Sequence, residues 1–300
     1  MAVYVNTNIS SLNGRRYLNN VQNQLTTTYQ RLSSGMRINS AKDDAAGLQI
    51  ADRLTTQING LNQGNRNTND GIALAQTIEG ALDETTNMLQ KIRTLAVQSA
   101  NGTNTSSDRD AIKAEGTALV AEITRIAQQT KFGGKTILQG TTKGSIYNTA
   151  GGVKASTGQV TLQVGANNGD QISFDIGNFV FSKILSAVDK NNNTAFTKAS
   201  GLQLQTASGA KAVIDLMDKM IAHVDGQRSG LGALQNRLES SIRNQSNVAA
   251  NQSDARSRIR DADFAEESAA LSQQSIIQQA ATSMLMQANS RPQLALSMLG

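Results

Sequence analysis

The sequence contains few of the residues that build disulfide scaffolds, aromatic cores or interrupted helices. Its 300 residues include no cysteine, no tryptophan and one proline, and aromatic residues make up 3%. The absence of cysteine excludes disulfides and cysteine-based zinc sites. Because almost no proline is present to interrupt helices, the composition favours long helices packed around an aliphatic core over a sheet-rich domain.

Charge and hydropathy narrow the possible functions further. The net charge is +5, but charged residues are only 17% of the chain and the basic ones are scattered, so we expect no nucleic-acid partner. No stretch reaches the roughly 18 consecutive apolar residues of a membrane span, so we expect no membrane partner. The first residues lack the layout of a cleavable signal peptide, so export would need another route.

Both ends of the chain combine low charge with the 3-and-4 spacing of a coiled-coil seam. Residues 1–42 contain five basic residues and no acid, and Arg291 is the only charged residue after Glu267. We predict two assembly seams that bury little within their own chain. The alternative is that each seam is the amphipathic edge of a single globular bundle. The predicted seams comprise Leu18, Val21, Leu25, Thr28 and Leu32 at the start, and Ile277, Ala281, Met284 and Ala288 at the end.

Between the ends, the apolar spacing predicts long helices. One helix is expected from about residue 44 to residue 98, which corresponds to roughly 80 Å at 1.5 Å per residue. Asn101-Gly102 should end it, and Ser107 with Asp110 resembles a capping box that opens a second helix ending near Phe132. A later pair of helical patterns forms the return leg, so three antiparallel legs close an apolar centre. Their apolar positions are Val213, Leu216 and Met220, then Leu231, Leu234, Leu238 and Val248.

Residues 135–200 have a different composition, rich in Gly, Asn, Thr and Ser. Alternating apolar residues flank a turn at 165–170, which predicts a β-hairpin, and the asparagines at 191–193 predict an exposed loop. The alternating residues are Val160, Leu162 and Val164, then Ile172, Phe174 and Ile176.

We therefore predict a mainly α fold, a long coiled-coil-like helical rod or bundle with paired terminal helices and a small β-hairpin region. The predicted parts are a terminal coiled-coil domain of residues 1–43 with 256–300, a helical rod domain of 44–134 with 201–255, and a hairpin and exposed loop region of 135–200.

Two motifs resemble ligand-binding loops but lack required residues. Residues 133–136, GGKT, look like the end of a phosphate-binding loop, yet Gln129 occupies the position of its first glycine. The polar run at 189–193 mimics the first ligands of a calcium loop, but Thr194 and Ser200 replace the glycine and glutamate that such a loop needs. We therefore expect no nucleotide at residues 133–136, a polar turn at 189–193, and no bound cofactor or metal.

The titratable residues do not form a catalytic constellation. His223 is the only histidine and follows apolar residues at helical spacing, so we expect it at the edge of a bundle. Asp43 and Asp44, like Asp261 and Asp263, lie near predicted helix starts, where carboxylates cap amides or complement the helix dipole. We therefore predict that the chain is not an enzyme.

One long motif carries a specific resemblance. Residues 31–48, RLSSGMRINSAKDDAAGL, closely resemble the signature of bacterial flagellins, the subunits of the flagellar filament. At 300 residues the chain looks like a short form, with no clear counterpart at about 135–157 and 177–200. Further matching stretches are NTNISSLN at 6–13, LAVQSANGTN at 95–104, VTLQVGANNGDQISFDI at 160–176, SRIRDAD at 257–263 and PQLALSMLG at 292–300.

The resemblance implies an architecture and a set of partners. The termini would pair as coaxial helices lining an inner tube, the long helices would form the surrounding shell, and the middle would face outward. The chain would be exported unfolded and polymerise with copies of itself in an extracellular filament. An export chaperone, a cap protein and a hook–filament junction protein would be further partners.

The resemblance also implies a surface that animal innate immune receptors recognise on the free monomer. This surface comprises Lys91, Leu95 and Glu115, with Leu95 expected as an exposed apolar anchor between charged flanks. Lysine replaces the family's usual arginine at position 91 and lacks its planar bidentate fork. The alternative is that these residues are ordinary contacts between subunits.

Two other functions compete with the filament subunit. A hook–filament junction protein of the same apparatus uses similar terminal heptads, but the segment at 31–48 resembles flagellins far better. A hydrolase carried between the helices would need a folded domain, and residues 135–200 are too few for one.

Overall fold

The computed structural model describes residues 7–141, 144–147, 157–188, 195–197 and 201–297. Helices dominate, as the composition predicted, and the strands pair in three antiparallel two-stranded ribbons. The predicted loop at 191–193 lies outside the described residues. The elements are α1 (Ile9–Ser34), α2 (Ala45–Ala100), α3 (Ser106–Gln129), β1 (Lys131–Phe132), β2 (Lys135–Thr136), β3 (Thr157–Gln163), β4 (Gln171–Gly177), α4 (Phe181–Val188), β5 (Phe196–Thr197), β6 (Gly201–Leu202), α5 (Ala207–Arg260) and α6 (Phe264–Ser297).

The chain divides into two compact units. The described residues up to Ile58 and from Val248 onward form the terminal unit, and those between Asn59 and Asn247 form the central unit. Each unit is held together by its own contacts. The three-part division at 43, 134, 200 and 255 stays a prediction.

The central unit has an aliphatic core supplied by α2, α3 and α5. Helix α2 follows the predicted bounds to within two residues, because its apolar positions recur at helical spacing without a proline. Polar Thr68 and Thr86 are also buried, and their hydroxyls donate to the carbonyl oxygens of Gly64 and Leu82 at 2.7 and 3.0 Å. Fully buried core residues include Ile78, Leu82, Leu89 and Ile92 of α2, Ile123 of α3, and Val213, Met217, Met220, Val224 and Leu238 of α5.

Two details of the predicted helices are wrong, although the two later patterns form the predicted return leg as one continuous helix, α5. Val248 is 37% exposed, and Ala249 is the buried neighbour. The capping box of α3 lies two residues earlier than predicted. Thr105 accepts a bond from the Asp108 amide at 3.3 Å, and the Asp108 carboxylate accepts one from the Thr105 amide at 2.9 Å. The box forms there because α3 begins at Ser106, which makes Thr105 the N-cap and Asp108 the third helical residue.

The predicted β-hairpin is confirmed with its register. Strands β3 and β4 pair so that Val160 lies opposite Phe174 and Leu162 opposite Ile172. The apolar side of the hairpin packs against the core of the central unit. Alternation places all four side chains on one face of the ribbon.

The structure also contains elements that the sequence analysis did not predict. Helix α4 buries Phe181 and Ile184 within the region expected to be loop-rich. The GGKT motif forms a tight hairpin of β1 and β2, whose turn residues Gly133 and Gly134 have φ of 56° and 81°. Both glycines adopt the left-handed conformation that this turn requires.

Candidate assembly surface

The terminal unit is built on the pairing of α1 with α6. Polar contacts fix the register at three levels: Asn8 donates to the Ala288 carbonyl at 2.7 Å, Thr28 donates to Gln274 at 3.1 Å, and Arg31 pairs with Glu267 at 3.0 Å. Glu267 is buried, so its charge needs this partner. The polar contacts select one alignment of the two helices along their length.

Most of the predicted seam residues are buried or partly buried where α1 packs against α6. Val21 and Leu25 are 5% and 7% exposed, so the expectation that the seams bury little within their own chain is wrong for them. The two paired helices belong to the same chain, so α6 covers Val21 and Leu25 of α1. Partly buried predicted residues are Leu18, Leu32, Ile277, Ala281 and Ala288.

Met284 does not occupy the seam position assigned to it. Its side chain is 68% exposed, whereas the adjacent Leu285 lies against Gly14 of α1. Steps of three and four residues from Ala281 reach Met284 and Leu285, respectively, and the helix rotation places Leu285 toward α1. Met284 instead borders a groove of about 360 Å³ between α1 and α6, lined also by Ser10, Gly14, Gln287 and Ala288.

The outer surface of the terminal unit carries large apolar side chains, of which the sequence analysis listed only Met284 as an assembly residue. Among the described residues, eleven such side chains are exposed, and ten of these belong to the terminal unit. Single exposed apolar residues are normal on any protein, but their concentration in one unit marks an interaction surface. We call the ten residues the outer apolar set: Ile9, Leu12, Tyr17, Tyr29, Ile50, Val248, Phe264, Ile276, Met284 and Met286.

The motifs at 31–48 and 257–263 contact each other beside the helix pair. Gly35 ends α1 with φ of 69°, and its carbonyl accepts from the Ala262 amide at 3.0 Å. Arg37 donates from its amide to the Arg260 carbonyl at 2.7 Å and from its guanidinium to the Ile259 carbonyl at 2.9 Å. Residues 35–37 and 259–262 therefore bind each other through backbone groups, and Gly35 supplies the left-handed conformation that lets the chain turn.

Three of the four paired acids accept bonds from backbone amides, as predicted, whereas Asp261 accepts one from the Ser257 hydroxyl at 2.6 Å. Asp43 accepts bonds from the Ser40 amide at 2.8 Å, the Ser40 hydroxyl at 3.0 Å and the Asn39 amide at 3.1 Å, and these bonds lower its pKa from 3.8. Asp44 accepts from the Gly47 amide at 2.9 Å near the start of α2. Asp263 accepts from the amide of residue 265 at 2.8 Å at the start of α6.

The residues predicted for receptor recognition lie in the central unit. Lys91 and Glu115 are exposed and form an ion pair at 3.5 Å, so the structure brings α2 and α3 together there. Leu95, however, is only 5% exposed and packs in the core, so its predicted role as an exposed anchor is wrong. Leu89, Ile92 and Leu95 are all buried because the core surrounds this part of α2 over a wide arc.

The remaining chemical candidates do not form a site in the part of the chain that the structure describes. His223 lies at the edge of the core, with its ring centre 6.5 Å from that of Phe179. Within the described ranges, no group of three or more His, Cys, Asp or Glu side chains is placed to hold a metal ion. No helix in those ranges is long and apolar enough to cross a membrane. The calcium-like run at 189–193 falls outside them.

Comparison with known families decides the identity of this helical assembly unit. The bacterial flagellin N-terminal helical region matches residues 5–143, and the bacterial flagellin C-terminal helical region matches residues 214–299. The chain belongs to the bacterial flagellin family. The two matched regions contain α1 and α6, so the helix pair of the terminal unit joins the N-terminal and C-terminal regions of this flagellin.

Full-length relatives agree with this assignment. The chain is 38% identical to Flagellin D of Vibrio anguillarum and 37% identical to Flagellin C of Vibrio cholerae, over the whole of both chains in each case. A solved structure described as a flagellar hook-associated protein from Vibrio parahaemolyticus has a similar fold, with a TM-score of 0.56 and 18% identity, covering 73% of this chain and all of that one.

The family assignment gives the function. This flagellin is a structural subunit of the bacterial flagellar filament, the polymer that drives swimming, and the full-length matches to flagellins give the hook–filament junction alternative no support. Flagellins of this family form the extracellular filament and assemble with copies of themselves.

Proposed function

We propose that subunits join in the filament through the outer apolar set of the terminal unit. In this arrangement residues 1–43 with 256–300 line the inner tube, residues 44–134 with 201–255 form the rod, and residues 135–200 face outward. The observation that carries the proposal is the placement of ten of eleven exposed large apolar side chains in the terminal unit. Burial of such side chains gains about 1.5–3 kcal/mol each when water is fully removed.

The seam residues have a supporting role in this proposal. Val21 and Leu25 hold α1 against α6 within the subunit, so that the outer apolar set is presented on a fixed frame. Predicted seam residues therefore contribute to assembly indirectly, through the helix pair, and Met284 contributes directly because it is exposed. An open polymer results when such a surface contacts a different surface of the next subunit without closing a ring.

The same exposed apolar surface suggests further partners that bind the subunit before or during its addition to the filament. An exposed apolar surface invites premature association, so a chaperone that covers α6 during export, and a cap protein that places each subunit, fit the chemistry of this face. A hook–filament junction protein would offer a matching surface to the first subunits. The chain is secreted in unfolded form, which the absence of cysteine suits, and it acts as a structural protein without enzyme activity.

Recognition by a host innate immune receptor remains a proposal for the region around Lys91, Leu95 and Glu115. The exposed ion pair of Lys91 with Glu115 offers charge to a receptor. The buried Leu95 contributes by holding the backbone of α2 beneath that pair, in place of the direct contact predicted for it.

A charge placed on the outer surface tests the proposed assembly. Ile276 is 67% exposed, so Ile276→Asp leaves the subunit folded but forces an unpaired carboxylate into the polymer contact. Val97→Asp is a matched control, because Val97 is the exposed apolar residue outside the terminal unit, at 50% exposure. We expect Ile276→Asp to abolish sedimentable filaments at concentrations where the wild type and the control polymerise.

Circular dichroism of both variants checks that the helices are retained. Filaments formed by Ile276→Asp at the wild-type critical concentration would contradict the proposed contact surface.

A further inference from the structure

The methionines among the described residues differ widely in the exposure of their side chains. Met284 and Met286 of α6 are 68% and 64% exposed, whereas Met217 and Met220 of α5 are fully buried. Met36 and Met88, the other methionines among the described residues, are partly buried. Two thioethers are therefore open to solvent on the same helix, two residues apart.

Thioethers are the only sulfur groups in this protein, since it has no cysteine. A peroxide therefore meets no thiol, and oxidation of sulfur falls on the methionines in the order of their exposure. In the reaction the O–O bond of the peroxide breaks and an S–O bond forms. The thioether loses two electrons to become a sulfoxide, and the peroxide is reduced to water or to an alcohol.

We propose that Met284 and Met286 are an oxidation-sensitive pair, and that their conversion to sulfoxide by peroxides prevents the folded subunit from entering the filament. The proposal rests on the proposed function, because it takes the outer apolar set to be buried in the polymer. Sulfoxide formation turns an apolar, flexible side chain into a polar, chiral one.

The free-energy cost of forming a sulfoxide differs between the free monomer and the filament. In the monomer both side chains are largely in water, so the sulfoxide oxygens remain hydrated and the helix pair is retained. At a contact between subunits the same oxygens lose water, and a polar group buried without a hydrogen-bond partner opposes association. The modification therefore acts on assembly and leaves folding of the subunit unchanged.

The groove beside Met284 should make the effect of oxidation on assembly different at positions 284 and 286. It is lined by Ser10 and Gln287, whose hydroxyl and amide groups are potential donors to a sulfoxide at position 284. Met286 is not among the residues that line this groove. Oxidation of Met286 should consequently disturb assembly more than oxidation of Met284.

The test uses full-length monomer treated with hydrogen peroxide. Peptide mass spectrometry should find sulfoxide at Met284 and Met286 before Met217 and Met220, with the circular dichroism spectrum unchanged. The oxidised protein should then show a critical concentration raised at least about fivefold, the ratio that corresponds to roughly 1 kcal/mol per subunit.

The double variant Met284→Leu with Met286→Leu is the control, because leucine preserves volume and apolar character without sulfur. Its critical concentration should be the same before and after peroxide treatment, whatever its value relative to the wild type. An unchanged critical concentration in fully oxidised wild type would overturn the proposal, as would oxidation of the buried methionines first. If Ile276→Asp also polymerises normally, the proposed function has failed; if Ile276→Asp is blocked while oxidised protein polymerises, only this inference has failed.

Discussion

Alanine at Gly64 would test how the β-hairpin is seated on α2. A Cβ at Gly64 would clash with the carbonyl oxygen of Val164 and would lie 2.8 Å from its carbonyl carbon. The amides of Val164 and Gly165 both donate to the Asp170 carbonyl, at 2.9 and 3.2 Å, so this backbone is fixed within the hairpin turn. Restoring an ordinary contact of 3.4 Å requires the turn to retreat by about 1 Å.

A matched substitution on the same helix isolates this clash. A Cβ at Gly80 would meet no heavy atom within 4 Å. Glycine to alanine inside a helix gains about 1 kcal/mol of stability, and both variants share this gain. Overpacking costs about 1–3 kcal/mol, so Gly64→Ala should be less stable than Gly80→Ala by that amount.

Urea unfolding followed by circular dichroism measures the stability difference, and hydrogen exchange locates it. We expect Gly80→Ala to exceed the wild type in free energy of unfolding. In Gly64→Ala the amides of β3 and β4 should exchange faster while those of α1 stay unchanged. Equal stabilisation by both alanines would refute the close seating of the hairpin on α2.

Three other substitutions test the terminal unit, a cap and the central core. Leu25→Asp or Ile277→Asp should raise the critical concentration for polymerisation, measured by sedimentation, because each places an unpaired carboxylate in the helix pair. The pKa of Asp43 is lowered from 3.8 in the folded chain, so its contribution to stability is present at pH values above 3.8 and is lost as the pH falls through the folded pKa. Asp43→Asn should therefore remove this pH dependence from the hydrogen exchange of the amides at 39–40. Leu95→Ala should lower the free energy of unfolding by about 2–5 kcal/mol and reduce receptor activation in a reporter-cell assay more than Lys91→Ala does; full activity of the folded Leu95→Ala variant would contradict its supporting role.

Patterns that depend on neighbours in the sequence were predictable. Helix α2 was predicted within two residues at each end because its apolar positions keep helical spacing over the whole of Ala45–Ala100. The hairpin was predictable because alternation on both strands flanks a Gly- and Asn-rich turn. In both cases local spacing and burial agree.

Elements that depend on tertiary cover were harder to predict. Helix α4 carries Phe181, Ile184, Leu185 and Val188 at helical spacing, but it has only eight residues within a stretch whose composition suggests loops. An isolated helix of this length is unstable in water, so packing against the core decides its formation. The signal was present in the spacing and was outweighed by composition.

The outer apolar set could not be inferred from periodicity for a more basic reason. A heptad pattern identifies the face that meets a continuous neighbour, and for α1 that neighbour is α6 of the same chain. Ile276 and Met286 follow no such repeat, and in the proposed assembly their partner belongs to another subunit. Polar residues between the exposed apolar ones also break up any continuous patch. Stable association then requires several such contacts to form together in the polymer, where each subunit repeats them.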